Sequence, residues 1–213
     1  MSTAAHDGRS VRRRPGRPRG QDSAVVREAA LRAAIDLIAR QGFAATSMAQ
    51  VAAAAGISPS GLAHHFSSKK ALLGAVLDHR DAADSDPRAA FGDGPWADFE
   101  HLTHVAQLNQ GRRQLVHLYT TMIGEAATAE HPAHEWMLGH YSVVVGMLVD
   151  GIRAAQREGH VRADAPAERI ARTTVALMDG LQVQWLLDPE IDMGAAMAEH
   201  VEELKQKWST AGA

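Results

Sequence analysis

Two closely spaced helix starts near the N-terminal end constrain the fold of this chain more than any other feature of its sequence. Ser47 is followed three residues later by Gln50, which is the pattern of a capping box at the start of a helix. Ser58 precedes Pro59, so a second helix is expected to begin with a serine cap and a proline in its first turn. Gly56 lies between the two starts and ends the first of these helices. A short helix, a glycine turn and a second short helix form the arrangement that places a recognition helix in the major groove of DNA.

Longer helices are expected on both sides of this pair. Apolar residues recur at helical spacing over residues 23–41, and Gly42 then supplies the left-handed residue that commonly follows a helix. The second short helix is predicted over residues 59–64. A further helix, capped by Ser67 or Ser68, follows it. Residues 22–80 are therefore predicted to form a small helical domain, and we call the first 80 residues the head.

The basic residues of the chain are concentrated in this head. Residues 1–80 carry 12 lysines and arginines against 5 acidic residues, a net charge of +7, whereas residues 81–213 carry 10 against 20, a net charge of −10. The asymmetry indicates that only the head meets a polyanion. Six arginines lie among prolines and glycines over residues 9–20, a composition that precludes a helix. This arm is either a solvated tail or a segment that reads the minor groove and the phosphates of DNA.

The stretch from Ala45 to Leu73, ATSMAQVAAAAGISPSGLAHHFSSKKALL, resembles the DNA-binding signature of the TetR/AcrR family of transcriptional regulators. The likeness covers about residues 22–80 in register, and as a combined pattern it is highly specific. It implies an all-α homodimer with an N-terminal three-helix helix-turn-helix DNA-binding domain, which binds a palindromic operator. It also implies a helical C-terminal domain for dimerisation and small-molecule inducer binding. The expected division is a disordered basic arm over residues 1–21, the DNA-binding domain over 22–80 and the ligand-binding and dimerisation domain over 81–213.

The resemblance also implies which residues touch DNA. Thr46 or Ser47 would donate to a phosphate from the start of the second helix, and Lys69 would contact another phosphate. Two positions depart from the family pattern: Ala63 stands where a tyrosine is common, and Lys70 replaces a frequent glutamate. Small side chains on the recognition helix leave few groups that can read bases, so specificity is expected to depend on the arm and on DNA shape. The full expected set is Arg12, Arg13, Arg14, Arg17, Arg19, Thr46, Ser47, Ser58, Pro59, Ser60, Gly61, His64, His65 and Lys69.

Beyond the head, the chain is predicted to continue as helices separated by short breaks. They are expected over residues 96–108, 112–129, 133–158, 166–187 and 192–208. The third and fourth of these are apolar on two faces, which indicates burial on both sides. A symmetric interface of two helices from each subunit would cover the second face. The residues expected there are Tyr141, Val144, Val145, Leu148, Ile152, Leu177, Leu181 and Trp185.

The candidates for a ligand cavity are less distinctive. They are Tyr119, Met122, Trp136, His140 and Met178. Aromatic and methionine side chains at helical spacing also suit an ordinary core, and a buried histidine can be satisfied by its neighbours.

Several classes of function are excluded or disfavoured. The chain has no cysteine, which excludes disulfides, thiolate metal sites and cysteine nucleophiles and fits a reducing cytoplasm. No apolar run is long enough for a membrane span, so no membrane partner is expected. His101 and His104 lie three residues apart, as do His131 and His134, but no carboxylate cluster converges on either pair, so no metal or other cofactor is expected. The leading hypothesis is a ligand-responsive, DNA-binding repressor. The alternatives are a protein that binds DNA through its arm without sequence preference, and a small helical enzyme.

Overall fold

The structure is a computed structural model that describes residues 19–84 and 94–210 of the 213-residue chain. Within these ranges the chain forms no strand, and one antiparallel bridge pairs Val161 with Ser209. None of the described helices is long and apolar enough to cross a membrane. The all-α class predicted from the sequence is confirmed. The helices are α1 (Arg19–Ala45), α2 (Met48–Ala54), α3 (Pro59–His65), α4 (Lys69–Asp84), α5 (Ala97–Asn109), α6 (Arg113–Ala126), α7 (His134–Arg157), α8 (Ala167–Leu187) and α9 (Met193–Trp208).

The helix starts of the head follow the capping rules. Ser47 Oγ accepts a hydrogen bond from the Gln50 amide at 3.2 Å, and Gln50 Oε1 accepts one from the Ser47 amide at 2.8 Å, which completes the capping box. Ser58 Oγ accepts from the Gly61 amide at 3.0 Å, with proline at the first position of α3. Ser68, rather than the serine before it, accepts the amide hydrogen bond at the start of α4. Local sequence alone therefore positions these three helices.

Two helix ends in the structure have different physical causes. Gly42 takes a φ of 78° and interrupts α1, so the last residues of that element form a separate turn after the kink. α6 ends at Ala126, three residues before the predicted end at 129. His134 Nδ1 lies 2.8 Å from the Ala126 carbonyl oxygen and occupies the acceptor that a longer helix would have used. The early end of α6 thus reflects a side chain from the next helix.

The head and the body share one hydrophobic cluster. Buried residues of α1 to α4, including Leu31 and Leu62, pack together with residues of α6. Leu118 and Met122 on α6 are fully buried in this cluster. The second cluster joins α5, α7, α8 and α9 around residues such as Phe99. α6 is therefore part of the head's core as well as part of the body.

The body core contains residues that were expected at a subunit interface. Leu148 and Ile152 are 0% exposed and lie within the core of this single chain, so their assignment to an interface with a second subunit is wrong. Val145, Leu181 and Trp185 are also buried in the same core. Both faces of α7 and α8 are apolar. The face that was predicted to contact a second subunit instead packs toward α5 and α9. Tyr141, Val144 and Leu177 are only half-buried.

The remaining apolar face of α7 and α8 is open. Its four large side chains are Leu138 (54% exposed), Val143 (71%), Val183 (48%) and Leu187 (83%). Glycines 139, 146 and 180 lie on the same two helices, and a Cβ placed on any of them would meet no atom within 4 Å. An exposed apolar face with small residues along it is typical of a surface on which other helices pack. We call these four large side chains the α7–α8 face.

Candidate DNA-binding surface and ligand cavity

Helix α3, which the sequence predicts to be the recognition helix, presents small side chains to solvent. Leu62 is fully buried and fixes the inner side of the helix, while Ser58, Pro59 and Ser60 are exposed at its start. The Ser58 and Ser60 hydroxyl oxygens lie 3.1 Å apart. Gly61, half-buried, allows the backbone itself to approach a partner closely. This end of α3 can therefore dock tightly but offers few long side chains.

Two pairs of predicted DNA contacts, Thr46 with Ser47 and His64 with His65, differ in how far each member is exposed. Thr46 is 3% exposed, and its hydroxyl donates to the Gly42 carbonyl at 2.8 Å, so it secures the end of α1. Ser47 is exposed and caps α2. His64 is exposed at the end of α3, whereas His65 is half-buried and its ring lies beside that of Phe66. Of each pair, Ser47 and His64 are the ones that solvent or DNA can reach.

Lys69 has an internal role that the sequence did not suggest. Its Nζ donates to the Ala44 carbonyl at 3.1 Å and lies 4.2 Å from the centre of the Phe43 ring. A carbonyl oxygen and an aromatic face both stabilise an ammonium, which offsets the unfavourable position of a cation at the start of α4. Lys69 therefore ties α4 to the turn between α1 and α2. The ammonium has three hydrogen atoms, so the contact with Ala44 leaves donors for a phosphate.

The arginine arm falls almost entirely outside the described residues. Arg12, Arg13, Arg14 and Arg17 lie there, and Arg19 is the first residue of α1. The contribution of the arm to DNA binding stays a prediction.

A cavity of about 240 Å³ lies in the body, between α4, α5, α6, α7 and α8. Three of the five residues that the sequence suggested for a cavity, Tyr119, His140 and Met178, line it. Trp136 stands behind His140, with the two rings stacked at 5.1 Å, and is absent from the lining. Met122 is fully buried in the cluster shared with the head and does not reach the cavity. The cavity is smaller than the roughly 300–1,000 Å³ of sites for drug-sized molecules.

The cavity has a polar end that α4 supplies. The Arg80 guanidinium lies 4.0 Å from the centre of the Tyr119 ring, and its Nη1 donates to Asp81 Oδ1 at 2.9 Å. His140 Nδ1 is 3.4 Å from the same carboxylate oxygen. Burial alone would raise the pKa of Asp81, but the hydrogen bonds and charges of His140 and Arg80 lower it below its usual value. Asp81 is thus an ionised carboxylate whose hydrogen-bond donor is the Arg80 guanidinium.

A second carboxylate, on α8, is less compensated. Asp179 Oδ2 accepts a hydrogen bond from the Tyr141 hydroxyl at 2.6 Å. Burial raises the pKa of Asp179 above its usual value, and this effect outweighs the hydrogen bond from Tyr141 and the positive charges nearby. The pKa of the Tyr141 hydroxyl is raised as well, through burial and the adjacent Asp179. One turn further along α8, Gln182 is 1% exposed and lines the same cavity.

Sequence reasoning missed most of this polar lining. The sequence suggested no role for four of the lining residues, which are Arg80, Asp81, Asp179 and Gln182. Tyr141, which donates a hydrogen bond to Asp179, was assigned to the subunit interface. A signal existed for two of them, because Asp179 and Gln182 lie three residues apart on a face of α8 that is otherwise apolar. The structure shows no group of three or more metal-ligating side chains within the described residues.

Besides the shared hydrophobic cluster, a hydrogen bond and a ring contact join the body to the head. The Phe43 amide donates to Glu125 Oε2 on α6 at 3.1 Å, directly after the kink in α1. His131 Nε2 lies 3.4 Å from the same oxygen, and the His131 and Phe43 rings meet edge to face at 5.4 Å. α6 also carries Tyr119, which lines the cavity. α4 and α6 therefore each reach from the cavity to the head.

Two protein-family models match the chain. The model for bacterial regulatory proteins of the tetR family matches residues 30–76. The model for the C-terminal part of BetI-type transcriptional repressors matches residues 100–205. No curated protein sequence matches the chain at a significant level.

Solved structures share the fold across most of the chain. NalD, the secondary repressor of the MexAB-OprM multidrug efflux pump in Pseudomonas aeruginosa, superposes with a TM-score of 0.72 at 20% identity, over 90% of this chain and 100% of that one. A TetR transcription regulator from Haloarcula marismortui gives 0.72 at 18% identity, over 90% and 100%. A protein from Saccharomonospora viridis in complex with choline gives 0.67 at 22% identity, over 88% and 100%. At these identities the likeness shows the fold alone.

Proposed function

The chain belongs to the TetR family of bacterial regulatory proteins, and on that premise we propose that it is a homodimeric repressor, released from a palindromic operator by a small molecule. Members of the family are DNA-binding regulators and not enzymes, so the enzyme alternative is set aside. The proposed DNA contacts are the exposed start of α3, with Ser47, His64, Lys69 and the arginine arm. The proposed inducer site is the cavity behind α4.

The observation that carries the proposal is that α4 contacts both sites. Lys69 at its first turn holds the segment before α2, and Arg80 and Asp81 near its other end line the cavity. Arg80 follows Lys69 by eleven positions, which corresponds to about 16 Å along the helix axis at 1.5 Å per residue. A molecule that enters the cavity would favour a different position of this rigid helix, and hence a different spacing of the two heads of a dimer. Operator and inducer should therefore weaken each other's binding by the same factor.

The experiment that tests the proposal is a salt-titrated binding assay. The full-length protein is titrated with DNA that flanks its own gene, against an unrelated fragment of equal length. We expect the flanking DNA to bind at least roughly 1,000-fold more tightly, with affinity that falls steeply as salt rises. Equal affinity for the two fragments would contradict an operator in that DNA.

A deletion separates the proposal from the arm-binding alternative. Removal of residues 1–18 should weaken binding but preserve the preference for the operator fragment, because the head still reads the groove. A protein that binds through its arm alone would lose all affinity on this deletion.

The dimer is proposed to form through the α7–α8 face. The change Val183→Asp places a carboxylate on this exposed apolar face, at a residue outside the cavity lining, where burial against a second subunit would cost several kcal/mol. We expect this variant to sediment as a monomer at micromolar concentration and to lose operator binding. Val25→Asp is the matched control, because Val25 is 65% exposed on α1, away from this face, and the control should remain dimeric. A dimeric Val183→Asp variant would exclude this face from the interface.

A further inference from the structure

The charges around the cavity do not cancel. Asp81 is paired with Arg80 and contacted by His140, and the Arg80 guanidinium also covers the Tyr119 ring. Asp179 has the neutral hydroxyl of Tyr141 as its hydrogen-bond partner and takes part in no ion pair within the described residues. Besides His101 and His140, the lining holds one arginine and two carboxylates, and Asp179 is the carboxylate that the arginine does not pair with. A largely buried carboxylate without an ion-pair partner is costly unless a ligand compensates it.

A second polar group of the lining lacks a partner. Gln182 is 1% exposed, and its Oε1 atom is buried without a hydrogen-bond partner in the structure. A buried amide oxygen without a donor costs free energy, so such an atom commonly marks a missing ligand. Gln182 follows Asp179 by three residues on α8, which places both side chains on one face of the helix. Together they form an acceptor pair that requires a donor.

Apart from His101, the rest of the cavity is apolar. Its wall consists mainly of aliphatic and methionine side chains, with the rings of Tyr119 and His140 at the polar end. The apolar members are Leu102, Val105, Val143, Val144, Met147, Val175 and Met178. A volume of about 240 Å³ suits a compact hydrocarbon body with one polar end.

We propose that the ligand of this cavity is a protonated amine with a small apolar body, whose ammonium donates to Asp179 and to Gln182. The inference rests on the proposed function, since it names the chemical class of the inducer. An ammonium supplies both the missing charge and the missing donor, and a charged hydrogen bond is stronger than a neutral one. The aromatic face of Tyr119 adds attraction for a cation.

Other ligand classes leave one of the two groups unsatisfied. A carboxylate ligand would face Asp179 with like charge, and Arg80 is already engaged with Asp81 and the Tyr119 ring. An alcohol could donate to Gln182 but would leave Asp179 without a counter-charge. A quaternary ammonium would supply the charge but has no N–H to donate to Gln182.

The test uses matched series of small probes. One series shares a phenylethyl body (2-phenylethylamine, its N,N,N-trimethyl derivative, 2-phenylethanol and 3-phenylpropanoate), and a second series has the same head groups on a cyclohexylethyl body. Thermal unfolding of the full-length protein is measured with each probe. At a concentration of about 100 times Kd, we expect the primary amines to raise Tm by about 5–10 °C, and the alcohols and carboxylates by much less. The trimethyl derivatives should lie between.

Two variants test whether the rise in Tm with amines depends on Asp179 and Gln182. Asp179→Asn should remove the amine-induced shift, with at least a tenfold loss of affinity. Its unliganded Tm should not fall, because the change removes a buried carboxylate and keeps an acceptor for Tyr141. Gln182→Leu should weaken the primary amine more than the trimethyl derivative. Glu199→Gln is the control, because it removes a carboxylate at an exposed position of α9, and it should keep the full shift.

Three results would overturn the inference: alcohols or carboxylates that bind better than the amines, no shift with either series, or an amine shift that persists in Asp179→Asn. Operator binding is measured on the same samples. Normal operator binding that amines do not relieve, together with an Asp179-dependent shift, would support the ligand class and contradict the inducer role. Loss of operator selectivity in the wild-type protein would contradict the proposed function separately.

Discussion

The change Ser60→Glu is expected to abolish selective operator binding, with a loss of at least about 100-fold in affinity. Ser60 is exposed at the start of α3, beside the cap formed by Ser58. A carboxylate there would face the phosphates and base edges of the major groove, and like charges brought together at an interface cost several kcal/mol. Each 1.4 kcal/mol is a factor of ten, and a dimer carries the change twice.

The experiment compares operator affinity with fold and assembly. Ser60→Glu should keep the wild-type Tm and sedimentation coefficient, because the side chain is outside the core. The control Ala163→Glu adds the same charge at an exposed position between α7 and α8 and should lower operator affinity only slightly. Operator binding by Ser60→Glu within threefold of the wild-type value would show that α3 is not the reading helix.

The change Met122→Ala is expected to destabilise the head and the body together. Met122 is 0% exposed in the cluster that α6 shares with the head. Truncation of a buried methionine costs about 2–5 kcal/mol, a large part of the 5–15 kcal/mol that stabilises a typical domain. At about 2–4 °C per kcal/mol, Tm should fall by roughly 10 °C, in a single transition for both parts of the chain.

A second methionine provides the comparison. Met147 is half-buried and lines the cavity, so Met147→Ala should cost less stability but weaken binding of the amine probes. Met122→Ala should keep the probe affinity of the wild-type protein. Two separate unfolding transitions in Met122→Ala, or weakened probe binding in that variant, would show that Met122 belongs to the cavity rather than to the shared core.

The head could be predicted because its signals are local. The serine caps of α2 and α3 and the glycine after α1 each act within four residues, so the sequence contains the whole cause. The cavity depends on packing. Arg80 and Asp179 are far apart in the chain and line one cavity only because α4 and α8 come together around α6.

The subunit surface illustrates a different limit. Two apolar faces on α7 predict that both are covered, but periodicity does not say which one faces the protein's own core. Leu148 and Val143 have similar hydrophobicity, yet the first is fully buried and the second is exposed. The packing of α5 and α8 against α7 decides between them, and no pattern within α7 reports it.

The cluster that α6 shares with the head matters to anyone who would build a sensor by fusing this body to another DNA-binding head. A cut at the boundary near residue 80 would separate Leu118 and Met122 from the apolar partners that cover them. It would also leave Glu125 without the Phe43 amide. A workable chimera should therefore match the donor head to α6 at these three positions, or take α6 from the same parent as the head. The interchangeable module of this fold is then larger than the helix-turn-helix itself.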